Sequence, residues 1–113
     1  MYMINYNNGL IYYIRMNGSD KYLYIGSTTN IKSRQYVHKH RVSNENSEYY
    51  NDTLYSIIRK NGGWDNWKMG VLSMYACDKR DDLQAYERQL IEELNPNLNS
   101  SLPSTNTLKY KQL

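Results

Sequence analysis

Residues 9–26 read GLIYYIRMNGSDKYLYIG, and this stretch decides the fold. Leu10–Met16 (LIYYIRM) is rich in β-branched and aromatic side chains, with Asn7-Asn8-Gly9 before it and Asn17-Gly18 after it. That is the composition of a strand between turns. Asn17-Gly18-Ser19-Asp20 is a hairpin-loop signal, and Tyr22–Ile25 (YLYI) is predicted to return beside the first strand. Side chains alternate across a strand, so Tyr12 and Ile14 share one face and Ile11 and Tyr13 the other. Gly26 is expected to end the second strand.

Working outward, Thr28-Thr29-Asn30 offers capping side chains for a helix over Ile31–Arg41. A second helix fits Asp52/Thr53 to Lys60, with Leu54, Ile57 and Ile58 as its apolar stripe and Asn61-Gly62-Gly63 as its stop. Trp67–Ala76 reads as a third strand, Met69 and Val71 alternating with Lys68 and Gly70. Asp78 is expected to cap a last helix through Leu94, stopped by Asn95-Pro96. The order β-β-α-α-β-α predicts an α/β fold: a small three-stranded antiparallel sheet flanked by about three helices. We expect one domain over residues 1–102 and a polar tail, or the start of a linker, over 103–113.

At 113 residues the chain has room for one domain with one modest core. It contains no apolar run near the ~18 residues of a membrane span, so no membrane partner is expected. The opening MYMINYNNGL lacks the basic start and long apolar stretch of a signal peptide. Cys77 is the only cysteine, which excludes a disulfide framework and a cysteine zinc cluster. An intracellular location, cytoplasmic or nuclear, is the expectation. The net charge of +3 does not announce nucleic acid by itself. Its layout says more. Residues 1–41 carry Arg15, Lys21, Lys32, Arg34, Lys39 and Arg41 against Asp20 alone, whereas residues 78–99 carry six acidic against three basic. The first third is a candidate polyanion face, although solvated Lys and Arg are the commoner outcome for any single one.

Glu87 is the most informative single residue. Leu83, Leu90, Ile91 and Leu94 form an apolar face at helical spacing, and Glu87 falls inside it. A carboxylate aimed at a core is costly unless paired or bound to a cation. Two readings follow: an ion pair with an arginine, or a carboxylate held for a divalent metal. Arg34 and His38 lie one turn apart on the first helix. A guanidinium there can fork onto a phosphate and an imidazole can relay a proton. The alternative is a solvated basic helix end, since Lys39, His40 and Arg41 follow. Tyr12 and Tyr24 lie on paired strands and can equally be amphipathic core residues. The sequence has no serine–histidine–acid elbow and no phosphate-cradling loop.

Taken in order, these residues form a pattern. Ile11-Tyr12, then eleven residues, then Tyr24-Ile25-Gly26-Ser27, then Arg34 and His38, then Glu87 and Asn99 resembles the GIY-YIG nuclease superfamily. The resemblance covers about residues 9–102 and is similar to minimal homing-endonuclease and phage or large-virus members. The stretch YIGSTTNIKSRQYVH carries the second motif, its arginine and its histidine; ERQLIEEL followed by NPNLN resembles the closing glutamate helix and its asparagine. The resemblance implies a DNA endonuclease. It implies that Tyr12 is the general base or places the attacking water, and that Tyr24 bonds near the scissile phosphate and tunes Tyr12. It implies that Arg34 clamps the phosphate and that His38 supports the nucleophile or the phosphate. Glu87 would be the sole protein ligand of one divalent metal per site, normally magnesium, with manganese as the substitute. Asn99 would steady the site. One departure stands out: Leu10 replaces the first motif's glycine, with Gly9 one place earlier, which bears on backbone packing at the strand start.

The chemistry is coherent. Phosphodiester hydrolysis needs a deprotonated nucleophile, charge relief on the phosphoryl oxygens and help for the leaving oxygen. A free tyrosine has a pKa of ~10, so Tyr12 needs help from Arg34, the metal or Tyr24. Magnesium held by one carboxylate and several waters is ordinary for that ion. DNA is the expected partner, met at its phosphates by Lys32, Arg34, Lys39, His40 and Arg41. A separate DNA-binding domain or a second protomer are the further partners to expect. The rivals are a non-cleaving nucleic-acid-binding module of the same fold and a small protein-interaction subunit.

Overall fold

A computed structural model describes residues 4–96 and Asn99; the polar tail expected over 103–113 lies outside them. Strands β1 (Leu10–Met16), β2 (Tyr24–Thr28) and β3 (Trp67–Met74) form one antiparallel sheet in the order β2-β1-β3. Helices α1 (Ile31–Ser43), α2 (Thr53–Lys60) and α3 (Arg80–Leu94) complete the predicted α/β order, with short turns of 3-10 helix at Tyr6–Asn8 and Trp64–Asn66. No helix among the described residues is long and apolar enough to cross a membrane.

The alternation of LIYYIRM builds the core. Leu10, Tyr12 and Ile14 pack on one face of the sheet with Val42 of α1, Leu54, Tyr55 and Ile58 of α2, and Trp67. Ile11 packs on the other face with Ile25 and Leu83 of α3. The central strand is therefore covered on both sides. Arg59 braces the α1–α2 connection by donating to the Val42 carbonyl at 3.0 Å and the Tyr50 carbonyl at 2.7 Å, its guanidinium 3.5 Å from the centre of the Tyr50 ring. That brace fixes where α2 presents Tyr55.

Several boundaries depart from expectation. The second strand is Tyr24–Thr28 rather than Tyr22–Ile25, and Gly26 sits inside it instead of ending it. Gly26 pairs with Tyr12, and a Cβ there would lie 2.5 Å from Cζ and Oη of that ring. This glycine is a slot for an aromatic ring. Gly9 serves the packing role at the strand start: its Cβ would come within 2.6 Å of the Tyr75 carbonyl oxygen. β3 stops at Met74, after which the Tyr75 and Cys77 N–H groups donate to the carbonyls of Gly9 and Tyr6. The last helix starts at Arg80 with Lys79 as its cap, so Asp78 does not cap it; Asp81 and Asp82 supply negative charge in the first turn. Leu94 is 46% exposed and lies outside the core, and Val71 is exposed on the edge strand β3. The α3 stop is as expected. Asn95 takes a left-handed conformation and donates to the Ile91 carbonyl, and Pro96 follows.

Candidate active site

The β1–β2 pairing sets Tyr12 opposite Gly26 and Ile14 opposite Tyr24, which places both tyrosines on one face. Their ring centroids are 6.3 Å apart. Helix α1 runs over this face, its start fixed by the Asn30 side chain accepting the Ser33 N–H at 3.1 Å. One turn of α1 separates Arg34 from His38. The His38 ring lies 5.6 Å from that of Tyr12 and 5.9 Å from that of Tyr24, and stacks on Trp64 at 6.4 Å. Both imidazole nitrogens are engaged. Nε2 is 2.7 Å from the Tyr12 hydroxyl and Nδ1 is 2.8 Å from the Tyr55 hydroxyl. His38 is 2% exposed, so it is not part of a solvated helix end.

Burial dominates the electrostatics. It drives the His38 pKa down to about 3, with the Arg34 and Arg41 charges adding to the effect. The imidazole is neutral at physiological pH. Burial pushes Tyr12 well above the ordinary phenol value, and Tyr24 and Glu87 reinforce this while Arg34 opposes it. Tyr24 is pushed up to about 12, by burial first and then by Glu87 and Tyr55, again against Arg34. Both are phenols at rest. Arg34, half-buried, is the cation whose charge bears on Tyr12, Tyr24 and Glu87 together.

Glu87 reaches the site from the opposite side of the sheet. Ser27 pairs with Ile11 and therefore faces α3, and its hydroxyl donates to the Glu87 carboxylate. Because β2 is an edge strand, this carboxylate stands at the sheet margin rather than behind its centre. Burial raises its pKa, opposed by the Ser27 bond and the charges of Arg88 and Arg34. Among the described residues no group of three or more His, Cys, Asp or Glu could form a protein cage for a metal. A lone desolvated carboxylate suits a hard cation that keeps its waters and takes one or two carboxylates plus phosphate, and such a cation would relieve the cost of burying the charge.

The described hydrogen bonds of Asn99 go to the backbone of β2 and not to Tyr12, Tyr24, Arg34, His38 or Glu87. Its side chain accepts the Ile25 N–H at 2.6 Å and donates to the Ile25 carbonyl at 2.8 Å, pairing with the free edge of β2 between Tyr24 and Gly26. Lys32, Lys39 and His40 are exposed on α1, away from Tyr12; His40 stacks on Tyr36 at 6.3 Å. Arg41 turns inward, over the Tyr49 ring at 3.9 Å, and donates to the Tyr55 hydroxyl at 3.2 Å. Sequence reasoning gave no role to Ser27, Tyr55 or Trp64. Ser27 lay inside the quoted second motif. Tyr55 follows Leu54 and precedes Ile58 by one turn, so its burial was readable, but its bond to a histidine 17 positions away was not.

The family model of the GIY-YIG catalytic domain matches residues 8–99. No curated protein and no solved structure gives a match. The matched span runs from the start of β1 to the asparagine on the edge of β2, and it takes in every element of the sheet and all three helices. On that basis the chain belongs to the GIY-YIG family of catalytic domains and carries its nuclease fold.

Proposed function

We propose that this protein is a metal-dependent endonuclease that hydrolyses phosphodiester bonds in DNA, nicking one strand per protomer. The observation that carries this reading is the meeting of two phenols beside one buried imidazole, with a guanidinium and a carboxylate near enough for their charges to act on both phenols. Arg34 holds two phosphoryl oxygens in its planar fork and stabilises the charge that develops on them. Tyr12, as phenolate, takes a proton from the attacking water. Its burial opposes ionisation and the Arg34 charge favours it. His38 holds the Tyr12 oxygen in place, and Tyr24 sits beside it to bond near the scissile phosphate. Glu87 would hold one magnesium or manganese ion, which when bound supplies charge relief on the phosphoryl and leaving oxygens. Asn99 keeps the edge of β2 in register beneath Tyr24 and Gly26.

Lys32, Lys39 and His40 form the outer phosphate-contacting side of α1, where contacts position the chain without conveying sequence. Arg41, expected in that set, is directed to Tyr55 instead. The test is a time course on supercoiled plasmid with magnesium, with manganese or with chelator. Nicked circle should appear first and only with metal, linear product should accumulate later, and binding should fall steeply with salt. Salt-sensitive binding with no cleavage in either metal would overturn the reading in favour of a binding module. Linear product arising together with nicked product would mean that two protomers act as a pair.

A further inference from the structure

We propose that Tyr55 and Arg41 are positioning residues that hold His38 as its Nε2–H tautomer, aiming a hydrogen-bond donor at the Tyr12 oxygen. Four groups stand in a line. Arg41 Nη1 is 3.2 Å from the Tyr55 oxygen, that oxygen is 2.8 Å from His38 Nδ1, and His38 Nε2 is 2.7 Å from the Tyr12 oxygen. Arginine can only donate, so Tyr55 accepts from Arg41 and has one proton to give. A neutral imidazole has one N–H.

With Tyr12 as a phenol, three contacts must share four protons: one each from Arg41, Tyr55, the imidazole and Tyr12. One proton is left over, on Tyr55 or on Tyr12. Tyr55 is 3% exposed, packed among Leu54, Ile58 and Val42, and beside the Arg41 cation. Leaving its proton unpaired there costs the full desolvation of an O–H group, next to a positive charge that repels it. Tyr12 is as buried, at 2% exposed, but its one described side-chain bond is to His38 and among the described residues no guanidinium donates to its oxygen; the Glu87 charge favours keeping its proton, against Arg34. The surplus proton therefore belongs to Tyr12. The Tyr55 proton then lies on the side of Nδ1 and the imidazole proton on Nε2.

The consequence bears on the reaction. When Tyr12 gives up its proton to solvent water, since the Nε2–H imidazole cannot take it, three donors match three contacts with none left over, and a cation terminates the line at its far end. The arrangement is complete for the phenolate and not for the phenol. This favours the charged form through hydrogen bonding, against the burial that disfavours it. The catalytic meaning of the tautomer rests on the nuclease reading; the tautomer itself does not.

The experiment has two independent arms, both on the full chain. Nitrogen-15 correlation spectra of the histidine side chains, near neutral pH without DNA or metal, read the tautomer directly, with His40→Gln used to assign the two rings. His38 should show a protonated Nε2 and an unprotonated, hydrogen-bonded Nδ1, and Tyr55→Phe should move the Nδ1 resonance to the value of a nitrogen without a donor. In the nicking assay Tyr55→Phe should lower kcat roughly 10- to 100-fold, the usual cost of losing an outer partner, with KM for DNA unchanged. Arg41→Gln, which leaves Tyr55 in place and guards against a folding defect, should also lower kcat at constant KM; a phosphate-contacting arginine would raise KM instead. Protonation of Nδ1 in the wild type would overturn the proposal whatever the nicking shows. Inactivation by Tyr12→Phe with kcat intact in Tyr55→Phe and Arg41→Gln would overturn the positioning role while leaving the nuclease reading standing. Absence of cutting by the wild type would sink the nuclease reading alone.

Discussion

Acid should destabilise this protein through His38. The imidazole is buried between Tyr12 and Tyr55, and its folded pKa of about 3 lies far below the ordinary value of 6.5. Below about pH 6.5 the unfolded chain takes up a proton there that the folded chain refuses. The stability contributed by neutral His38 is thus fully present above the unfolded pKa and is lost as pH falls toward the folded one. Each pH unit inside that window is worth up to 1.36 kcal/mol, so acidifying from pH 7 to pH 5 should remove about 2 kcal/mol. That is a large part of the 5–15 kcal/mol of a typical domain. The assay is urea denaturation at a series of pH values for the wild type and for His38→Gln. Carboxylates far from the site titrate in both proteins and cancel. The two stability curves should converge by about 2 kcal/mol between pH 7 and pH 5. Parallel curves would refute the reasoning, because they would mean that His38 accepts its proton in the folded state.

Tyr12→Phe should slow cutting by roughly 10²-fold or more, the scale of a lost general base, with DNA affinity little changed. Tyr24→Phe should do less, and equal small losses in single-turnover rates would leave both as packing residues. Arg34→Lys should cut no better than Arg34→Ala, because a planar fork holds two oxygens where an ammonium presents a point charge; near-normal nicking by the lysine variant would show that charge alone suffices. Gly26→Ala should cost roughly 1–3 kcal/mol by thermal melting and also reduce nicking, since its new methyl would press on the Tyr12 ring. A melt like that of the wild type would show that the ring has room to move.

The order of elements along the chain and the helix count were legible because β1 and α2 carry strong periodic signals, whereas the order of strands in the sheet was not read. The errors fell where pairing geometry, rather than local preference, decides. Gly26 reads as a strand stop in one dimension, and only the register that sets it opposite Tyr12 reveals it as a ring slot. Leu94 continues the spacing of Leu83, Leu90 and Ile91, yet it is the last residue of the helix and stands 46% exposed. At the site, the ordered series from Tyr12 to Asn99 was readable as a family pattern, and Glu87 stood out because a carboxylate interrupted an apolar face. The Ser27 hydroxyl on Glu87 and the Tyr55 hydroxyl on His38 were not readable, since each joins elements that spacing along the chain does not relate. Arg41 looked like one more base on a charged helix. Its inward turn depends on where α2 puts Tyr55, which the Arg59 brace sets.

The central claim is that a single carboxylate makes this site metal-dependent. The most direct measurement compares wild type and Glu87→Gln in magnesium-dependent plasmid nicking, with DNA affinity in chelator and a thermal melt alongside. The amide keeps an oxygen that can accept from Ser27 and removes the charge of a half-buried carboxyl group whose pKa is already raised. The account predicts that nicking is abolished, affinity in chelator is retained and the metal-free protein near neutral pH melts no lower than the wild type. The stability difference should shrink as pH falls toward the ordinary carboxylate range, where the wild-type side chain becomes neutral in both states. Undiminished magnesium-dependent nicking by Glu87→Gln would contradict the account; a melt far below that of the wild type would show that the carboxylate is a structural ion pair.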